Sequence, residues 1–239
     1  MAAALRKIWV VLNILLATVI FAAITIVVSL FDRRKRHLGI YSGLWARWIL
    51  WSMRLRSAVQ GLENLETGRR YVFVSNHASM IDIILALAYL PGTVAFMAKK
   101  NLFNIPLFGW AIRAIGCIPV DRSSRVKAQQ SVDQGVRKLQ RTVVNMLLYP
   151  EGTRSRDGHL QPFKSGGFLL AIRSGMPIVP IASIGTFEAL RSGSRNLTAV
   201  PLSLTIGLPI RTAELSDDDR HALRDQAYRA VSDLLAPAA

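Results

Sequence analysis

The chain has 239 residues and a formal net charge of +15, with 30 Lys and Arg residues against 15 Asp and Glu residues. This length suits one α/β domain with a short additional segment, and it permits a sizeable hydrophobic core. The single cysteine, Cys117, excludes an intrachain disulfide framework and indicates a reducing compartment. The excess of positive charge predicts an anionic partner, either nucleic acid or an anionic membrane with anionic ligands.

Residues 8–31 favour the membrane, because they contain no charged side chain. As a helix they would extend about 36 Å at roughly 1.5 Å per residue, enough to cross a ~30 Å hydrocarbon core. A cleaved signal peptide is the alternative, but its apolar region would be about 7–15 residues long and would end at a small-residue cleavage site. This run ends in Leu30, Phe31 and Asp32. We therefore predict an uncleaved membrane-anchoring helix over residues 8–31.

The charges around this helix predict its orientation. The basic cluster 33–36, RRKR, follows the apolar run and outweighs Arg6 and Lys7 on the other flank. Positive charge is retained on the cytoplasmic side of a membrane. The sequence therefore predicts a location at the cytoplasmic (inner) membrane, with the remainder of the chain facing the cytoplasm.

A second membrane-related segment is predicted over residues 39–58. Trp45, Trp48, Trp51 and Leu55 recur there at helical spacing, interspersed with Arg47, Arg54 and Arg56. This pattern is typical of an amphipathic interfacial helix, and the alternative is an amphipathic helix packed on the protein's own core. One crossing plus a surface helix and a monotopic hairpin both fit the pattern. We predict a membrane anchor over residues 1–60 and a separate domain over residues 61–239, whose function the motifs below indicate.

From residue 70 onward, short apolar runs alternate with helical patterns. Such alternation predicts an α/β fold with a mostly parallel sheet flanked by helices. The predicted strands are 71–75, 93–98, 117–120, 143–149, 178–183 and 202–206. The predicted helices are 80–90, 106–115, 124–141, 165–174 and 217–235.

The segment 75–82, SNHASMID, follows the first of these strands and contains His77 and Asp82. Five residues separate the two, so they cannot be partners on one continuous helix. If the helix begins at Ser79, His77 can fold back over the first turn, where a carboxylate would fix its tautomer and leave the other ring nitrogen as a base. The alternative is a capping box, in which Asp82 only serves the helix N-terminus.

The segment 150–154, PEGTR, follows the fourth predicted strand. Gly152 permits a turn in which backbone amides approach a ligand, and Arg154 offers a planar fork that suits phosphate. Glu151 is a candidate for binding a hydroxyl or for orienting Arg154. A solvated basic loop with a plain salt bridge is the alternative.

Two further cations, Lys99 and Arg122, lie at or just beyond the ends of two other predicted strands. Since the carboxyl ends of parallel strands form the usual ligand-binding edge of an open α/β sheet, we expect both to converge with Arg154 on one anionic group. The four histidines lack the spacing of metal ligands, so no metal is expected. No Gly-x-Ser-x-Gly or P-loop motif occurs, and nucleic-acid binding would not explain the apolar segment.

In this order, these segments resemble the 1-acyl-sn-glycerol-3-phosphate acyltransferase (lysophosphatidate acyltransferase) family, in its bacterial form. The resemblance covers roughly residues 70–185, with four blocks. They are Asn76-His77-x4-Asp82, then 98–122 from Ala98-Lys99 to Asp121-Arg122, then 150–155 PEGTRS with 163–166, and finally 178–181 IVPI.

The resemblance implies a reaction and a role for each residue. His77, assisted by Asp82, would deprotonate the free glycerol hydroxyl, which then attacks an acyl thioester without an acyl-enzyme, a cofactor or a metal. Lys99, Arg122 and Arg154 would hold the acceptor phosphate. Glu151 and Gly152, with Thr153 beside them, would shape the acceptor pocket.

The implied partners are membrane phospholipids, a lysophosphatidate-like acceptor and either acyl-CoA or acyl carrier protein as donor, with no nucleic acid. Asn101 stands where the family's second block usually has an acidic residue. The alternative hypotheses are the same reaction on another lysolipid, such as lyso-ornithine lipid, and a non-catalytic anionic-lipid-binding protein on the same fold.

Overall fold

The computed structural model describes residues 2–120, 125–194 and 196–236. These residues form one seven-stranded sheet with the strand order β1-β7-β6-β2-β5-β3-β4. β6 and β7 pair antiparallel and every other pair is parallel, which confirms the predicted mostly parallel sheet. The strands are β1 Ser57–Gln60, β2 Val72–Ser75, β3 Val94–Lys99, β4 Ile118–Val120, β5 Asn145–Leu148, β6 Ile178–Ile184 and β7 Leu202–Ile206.

Helices flank this sheet. They are α1 Ala2–Phe31, α2 Leu38–Ser52, α3 Ile81–Tyr89, α4 Phe108–Ile115, α5 Arg125–Arg141, α6 Phe168–Ser174, α7 Thr186–Ala189 and α8 Arg220–Leu235. Short 3-10 turns lie at Leu62–Asn64, Lys100–Asn104, Ser165–Gly167 and Asp217–Asp219. The last two directly precede α6 and α8, so the helices predicted over 165–174 and 217–235 each begin with a 3-10 turn.

The central strands form the hydrophobic core. Every residue of β2 and β5 is buried, and Phe73, Met146 and Leu147 are fully inaccessible to solvent. Strands buried on both faces read as continuous apolar runs. This explains why the local sequence pattern predicted them.

The first strand differs from the prediction. The helix predicted over 39–58 ends at Ser52, and Arg54 adopts a positive φ of 56° that takes the chain out of the helix. Residues 57–60 then form β1, which pairs with β7 from Ser57↔Leu202 onward. The predicted C-terminal end of this helix is therefore wrong, because pairing with a strand far along the chain overrides the local helical periodicity.

The predicted helix 8–31 lies within α1, which packs antiparallel against α2. The indole Nε1 of Trp45 donates to Thr18 Oγ1 at 3.1 Å, and that of Trp48 donates to Asn13 Oδ1 at 3.1 Å. Of the helices that the structure describes, one is long and apolar enough to cross a membrane: residues 5–31 of α1, with a mean hydropathy of 2.8. Its outer face is apolar from Ile8 to Phe31.

Both ends of α1 contact the rest of the protein. Near its N-terminus, Lys7 Nζ donates to Asn196 Oδ1 at 3.4 Å. Just beyond its C-terminus, the carbonyl of Arg34 accepts from the backbone N–H of Val143 at 3.0 Å. The helix therefore lies along the sheet-containing domain instead of projecting away from it.

The sheet order places the predicted motifs side by side. β5 lies between β2 and β3, and all three run parallel. Their carboxyl ends consequently share one edge, where β2 leads into His77, β3 ends at Lys99 and β5 leads into the segment 149–155.

Candidate active site

His77 and Asp82 form a hydrogen-bonded pair at the end of β2. His77 Nδ1 lies 2.8 Å from Asp82 Oδ2, and the Asp82 side chain is fully buried. The same oxygen accepts the backbone N–H groups of Ala78 and Ser79, each at 2.8 Å. The carboxylate therefore serves both hypotheses drawn from the sequence, since it caps the start of α3 and binds the imidazole.

This pairing sets the role of each ring nitrogen. A carboxylate oxygen that already accepts two N–H groups acts as an acceptor toward His77, so Nδ1 donates. Nε2 is then the unprotonated nitrogen. The His77 side chain is about 15% exposed and lines a cavity, so a substrate hydroxyl can reach this nitrogen.

Tyr149 holds the face of the His77 ring. The two rings stack with centroids 4.1 Å apart and an interplanar angle of 27°. Burial, with a smaller contribution from the Asp82 charge, raises the pKa of the Tyr149 phenol well above its ordinary value. The phenol therefore stays neutral beside the imidazole, and the stack restricts ring rotation without adding a charge.

The second motif holds the backbone of His77. Glu151 Oε1 accepts the backbone N–H of His77 at 2.6 Å, and the carbonyl of His77 accepts from the backbone N–H of Ser155 at 2.7 Å. Glu151 Oε2 accepts the backbone N–H of Gln161 at 3.4 Å. The loops after β2 and β5 are thus joined directly at His77.

Glu151 is a buried carboxyl, with 3% of its surface exposed. Burial raises the pKa of Glu151 to about 7, against the opposing effect of its bonds to the His77 and Gln161 backbone. Glu151 does not line the cavity, whereas Gly152, Thr153 and Arg154 do.

Asn76 fixes the same loop to β6. Its Nδ2 donates to the carbonyl of Ser183 at 3.0 Å, and its Oδ1 accepts the backbone N–H of Ser183 at 2.8 Å. The sequence placed Asn76 next to His77 but gave no sign of this bond, because its partner lies far along the chain. The stacking of Tyr149 was missed for a similar reason, since its neighbour in the fold is not its neighbour in sequence.

Lys99 and Arg154 line the cavity together with His77, as the sequence predicted. Lys164 also lines the cavity, and its ammonium group lies close to Gly152. A Cβ placed on Gly152, whose φ is 81°, would lie 2.9 Å from Lys164 Nζ. In the sequence, Lys164 belongs to the third block of the family resemblance, in 163–166, and had no predicted role in the site. Arg122, the remaining predicted cation, lies outside the described residues.

The cavity has a volume of about 1730 Å³ and combines these cations with an apolar wall. The apolar residues lining it include Met80, Ile83, Phe96, Leu102, Val132, Leu148, Phe163 and Leu169. A basic mouth with an apolar wall suits an amphiphilic anion, such as a phosphate attached to an acyl chain. Within the part of the chain that the structure describes, no three His, Cys, Asp or Glu side chains cluster as metal ligands.

Known proteins share both the sequence and the fold. The Acyltransferase family model matches residues 56–184. The 1-acyl-sn-glycerol-3-phosphate acyltransferase of Limnanthes douglasii is 35% identical over 215 residues, covering 89% of this chain and 75% of that protein. The human 1-acyl-sn-glycerol-3-phosphate acyltransferase alpha is 31% identical over 177 residues, covering 74% of this chain and 62% of that protein.

The structural likeness extends over the whole chain. The crystal structure of the 1-acyl-sn-glycerophosphate acyltransferase PlsC from Thermotoga maritima has a TM-score of 0.82 and 26% sequence identity, covering 99% of this chain and 97% of that one. The relatives from plant and animal sources do not single out the bacterial form of the family, which stays a prediction. The matched domain includes His77, Lys99 and the loop 150–155, and the chain belongs to the acyltransferase family.

Proposed function

We propose that this enzyme transfers an acyl chain from an acyl thioester to the free sn-2 hydroxyl of 1-acylglycerol-3-phosphate, making phosphatidate. The observation that carries the proposal is the His77–Asp82 pair opening onto a cavity that also contains Lys99 and Arg154. The names of the relatives supply the acceptor.

In this mechanism His77 Nε2 removes the proton of the acceptor hydroxyl while Asp82 stabilises the imidazolium through Nδ1. The hydroxyl oxygen forms a bond to the thioester carbonyl carbon, and the carbon–sulfur bond then breaks. The proton on His77 passes to the departing thiolate. The chain's own residues account for each proton transfer, and no covalent acyl-enzyme is needed.

The acceptor phosphate binds to Lys99 and Arg154, with Arg122 as a further predicted ligand. Lysine presents a point charge and arginine presents two parallel donors, a combination that suits a phosphate dianion. Gly152 and Thr153 shape the same wall of the cavity. Glu151 accepts the backbone N–H of His77 and thereby holds the loop that borders the acceptor pocket.

The membrane anchor consists of α1 and α2, which lie in one leaflet as a monotopic hairpin, whereas residues 57–60 of the predicted anchor belong to the sheet as β1. Two observations support this arrangement over a single crossing. Both ends of α1 contact the same domain, and the apolar outer face of α1 continues onto α2 at Ile40, Leu44 and Trp51. The basic cluster 33–36 supports a position of the hairpin and the catalytic domain on the cytoplasmic side of the inner membrane, because positive charge is retained on that side.

The acceptor is tested with purified protein in detergent, one acyl donor and a panel of lysolipids of equal chain length. We expect transfer to lysophosphatidate, and a KM for lysophosphatidate that rises about tenfold or more in Arg154→Ala with a smaller change in kcat. Preference for lyso-ornithine lipid or a lysophospholipid with a larger headgroup would replace the acceptor proposed here. No transfer to any member of the panel would favour a non-catalytic lipid-binding protein.

A further inference from the structure

A second group of cations lines the cavity away from the strand ends. Arg220 and Arg224 lie at the beginning of α8 and contribute to the same cavity as His77. They share one face of α8 with Tyr228, since the three recur every four residues. The Tyr228 ring packs edge-to-face on Phe163, which also lines the cavity, with centroids 5.2 Å apart.

The helix geometry sets the spacing of this second group. At roughly 1.5 Å per residue, Arg224 and Arg220 lie about 6 Å and about 12 Å beyond Tyr228 along α8. Phe163 and Leu169 contribute apolar surface to the same cavity. The cavity therefore has cations at the catalytic loops and again at the start of α8.

The second group has fewer carboxylate contacts than Arg173, which also lines the cavity. Arg173, a neighbouring lining residue, is neutralised by Asp133 and Asp217, each at 2.6 Å. Arg220 donates to the backbone carbonyl of Asp217 at 3.0 Å and forms no ion pair within the described ranges. Arg224 pairs with Asp225, an exposed neighbour on the same helix, at 2.7 Å. Exposed ion pairs of this kind contribute little to stability, so a phosphate can replace the Asp225 carboxylate.

The described lining of the cavity holds seven Lys and Arg residues against two Asp residues. One phosphate on the acceptor accounts for the cations near His77, but it leaves Arg220 and Arg224 without a ligand. The donor of the proposed reaction carries its acyl group as a thioester on a pantetheine arm, and the other end of that arm is a phosphate. CoA and acyl carrier protein share this chemistry.

We propose that Arg220 and Arg224 bind the phosphate at the far end of the donor's pantetheine arm, while the arm lies along Phe163 and Leu169 with its thioester at His77. This inference rests on the proposed function and identifies the donor half of the same cavity. Arginine suits the task, because its planar fork binds a phosphate through two parallel hydrogen bonds.

The test compares donors with and without the phosphate. The double variant Arg220→Ala/Arg224→Ala is assayed with acyl-CoA, acyl carrier protein and acyl-pantetheine, all bearing the same acyl chain. We expect the KM of each phosphate-bearing donor that supports turnover to rise about tenfold, and the KM of acyl-pantetheine and of the acceptor to stay unchanged. Arg229→Ala is the matched control, since Arg229 is exposed on the same helix and does not line the cavity.

Equal donor KM values in the wild type and the double variant would overturn the proposal, as would an equal rise for acyl-pantetheine. The phosphate-bearing donor that the wild type uses identifies the source of the phosphate. If the wild type transfers no acyl group, the proposed function fails, and calorimetric binding of CoA and of holo carrier protein decides the present inference. Weaker binding of either to the double variant than to the wild type supports it, and unchanged binding of both contradicts it.

Discussion

At the scale of single residues, His77 is held from several directions at once. Asp82 binds its ring nitrogen, Tyr149 stacks on its ring, and Glu151 and Ser155 bind its backbone. The His77–Asp82 contact was one of two hypotheses drawn from the spacing, the other being a capping box, and Asp82 makes both contacts. The burial of Glu151 was not predictable, since sequence does not reveal which side chain of a loop turns inward.

Glu151 makes the stability of the protein depend on pH. The ordinary pKa of this carboxyl is 4.5 and burial raises it to about 7, so the folded protein binds its proton more tightly than the unfolded chain does. Its contribution to stability is present below 4.5 and is lost as the pH rises through about 7. At pH 8 the ionisation of Glu151 lowers the free energy of unfolding of the protein by about 3 kcal/mol.

Glu151→Gln removes this ionisation and retains an oxygen for the His77 N–H. We expect the variant to gain stability relative to the wild type as the pH rises. The free energy of unfolding of the variant minus that of the wild type should be about 2 kcal/mol larger at pH 8 than at pH 5. Denaturant titrations of both proteins in detergent at the two pH values measure this difference. The same difference at both pH values would show that Glu151 does not titrate in this window.

At the scale of elements, the predictable parts were those whose local pattern agrees with their environment. All six predicted strands exist within about two residues of their expected ends, because each contains apolar side chains that are buried in the sheet. β1 was missed, since Ser57–Gln60 has an alternating, half-exposed pattern and owes its conformation to pairing with β7. The end of α2 was misplaced for the same reason.

The packing of α2 on the domain depends on Gly39. A Cβ on Gly39 would lie 2.0 Å from the carbonyl oxygen of Gly92, whereas a Cβ on Gly43, one turn later, would lie 3.4 Å from its nearest neighbour, Leu87 O. We expect Gly39→Ala to lower the free energy of unfolding by about 1–3 kcal/mol through this overlap. Gly43→Ala, the matched control, should be neutral or stabilising by up to about 1 kcal/mol, since alanine favours a helix.

Denaturant titrations of the two alanine variants test this packing. Equal stabilities would mean that α2 is free to move away from the loop at residue 92, and would remove the argument that α2 is part of the catalytic domain's structure.

At the scale of the whole molecule, the cavity and the apolar outer faces of α1 and α2 belong to one structure. α1 packs on α2, and both ends of α1 are tied to the domain that contains the cavity. A membrane-embedded hairpin in this position would keep the enzyme at the surface where a lysolipid acceptor resides. Sequence alone left the choice between crossing and hairpin open, because it depends on contacts between distant residues.

Cysteine labelling distinguishes these topologies. Cys117 is 1% exposed, so the native thiol should react little. Lys7→Cys and Arg36→Cys each introduce an exposed thiol at one end of α1. With a membrane-impermeant maleimide, we expect both sites to react from the side that carries the catalytic domain. Labelling of the two sites from opposite sides of the membrane would establish a crossing helix.

The most direct test of the central claim is the turnover of His77→Ala with lysophosphatidate and the acyl donor that the wild type uses. A positioned general base contributes about 10²–10⁴-fold to the rate, so kcat should fall by at least about 100-fold while the acceptor KM changes little. His159→Ala, an exposed histidine that does not line the cavity, should retain wild-type turnover. Full acyl transfer by a folded His77→Ala protein would contradict the proposed mechanism.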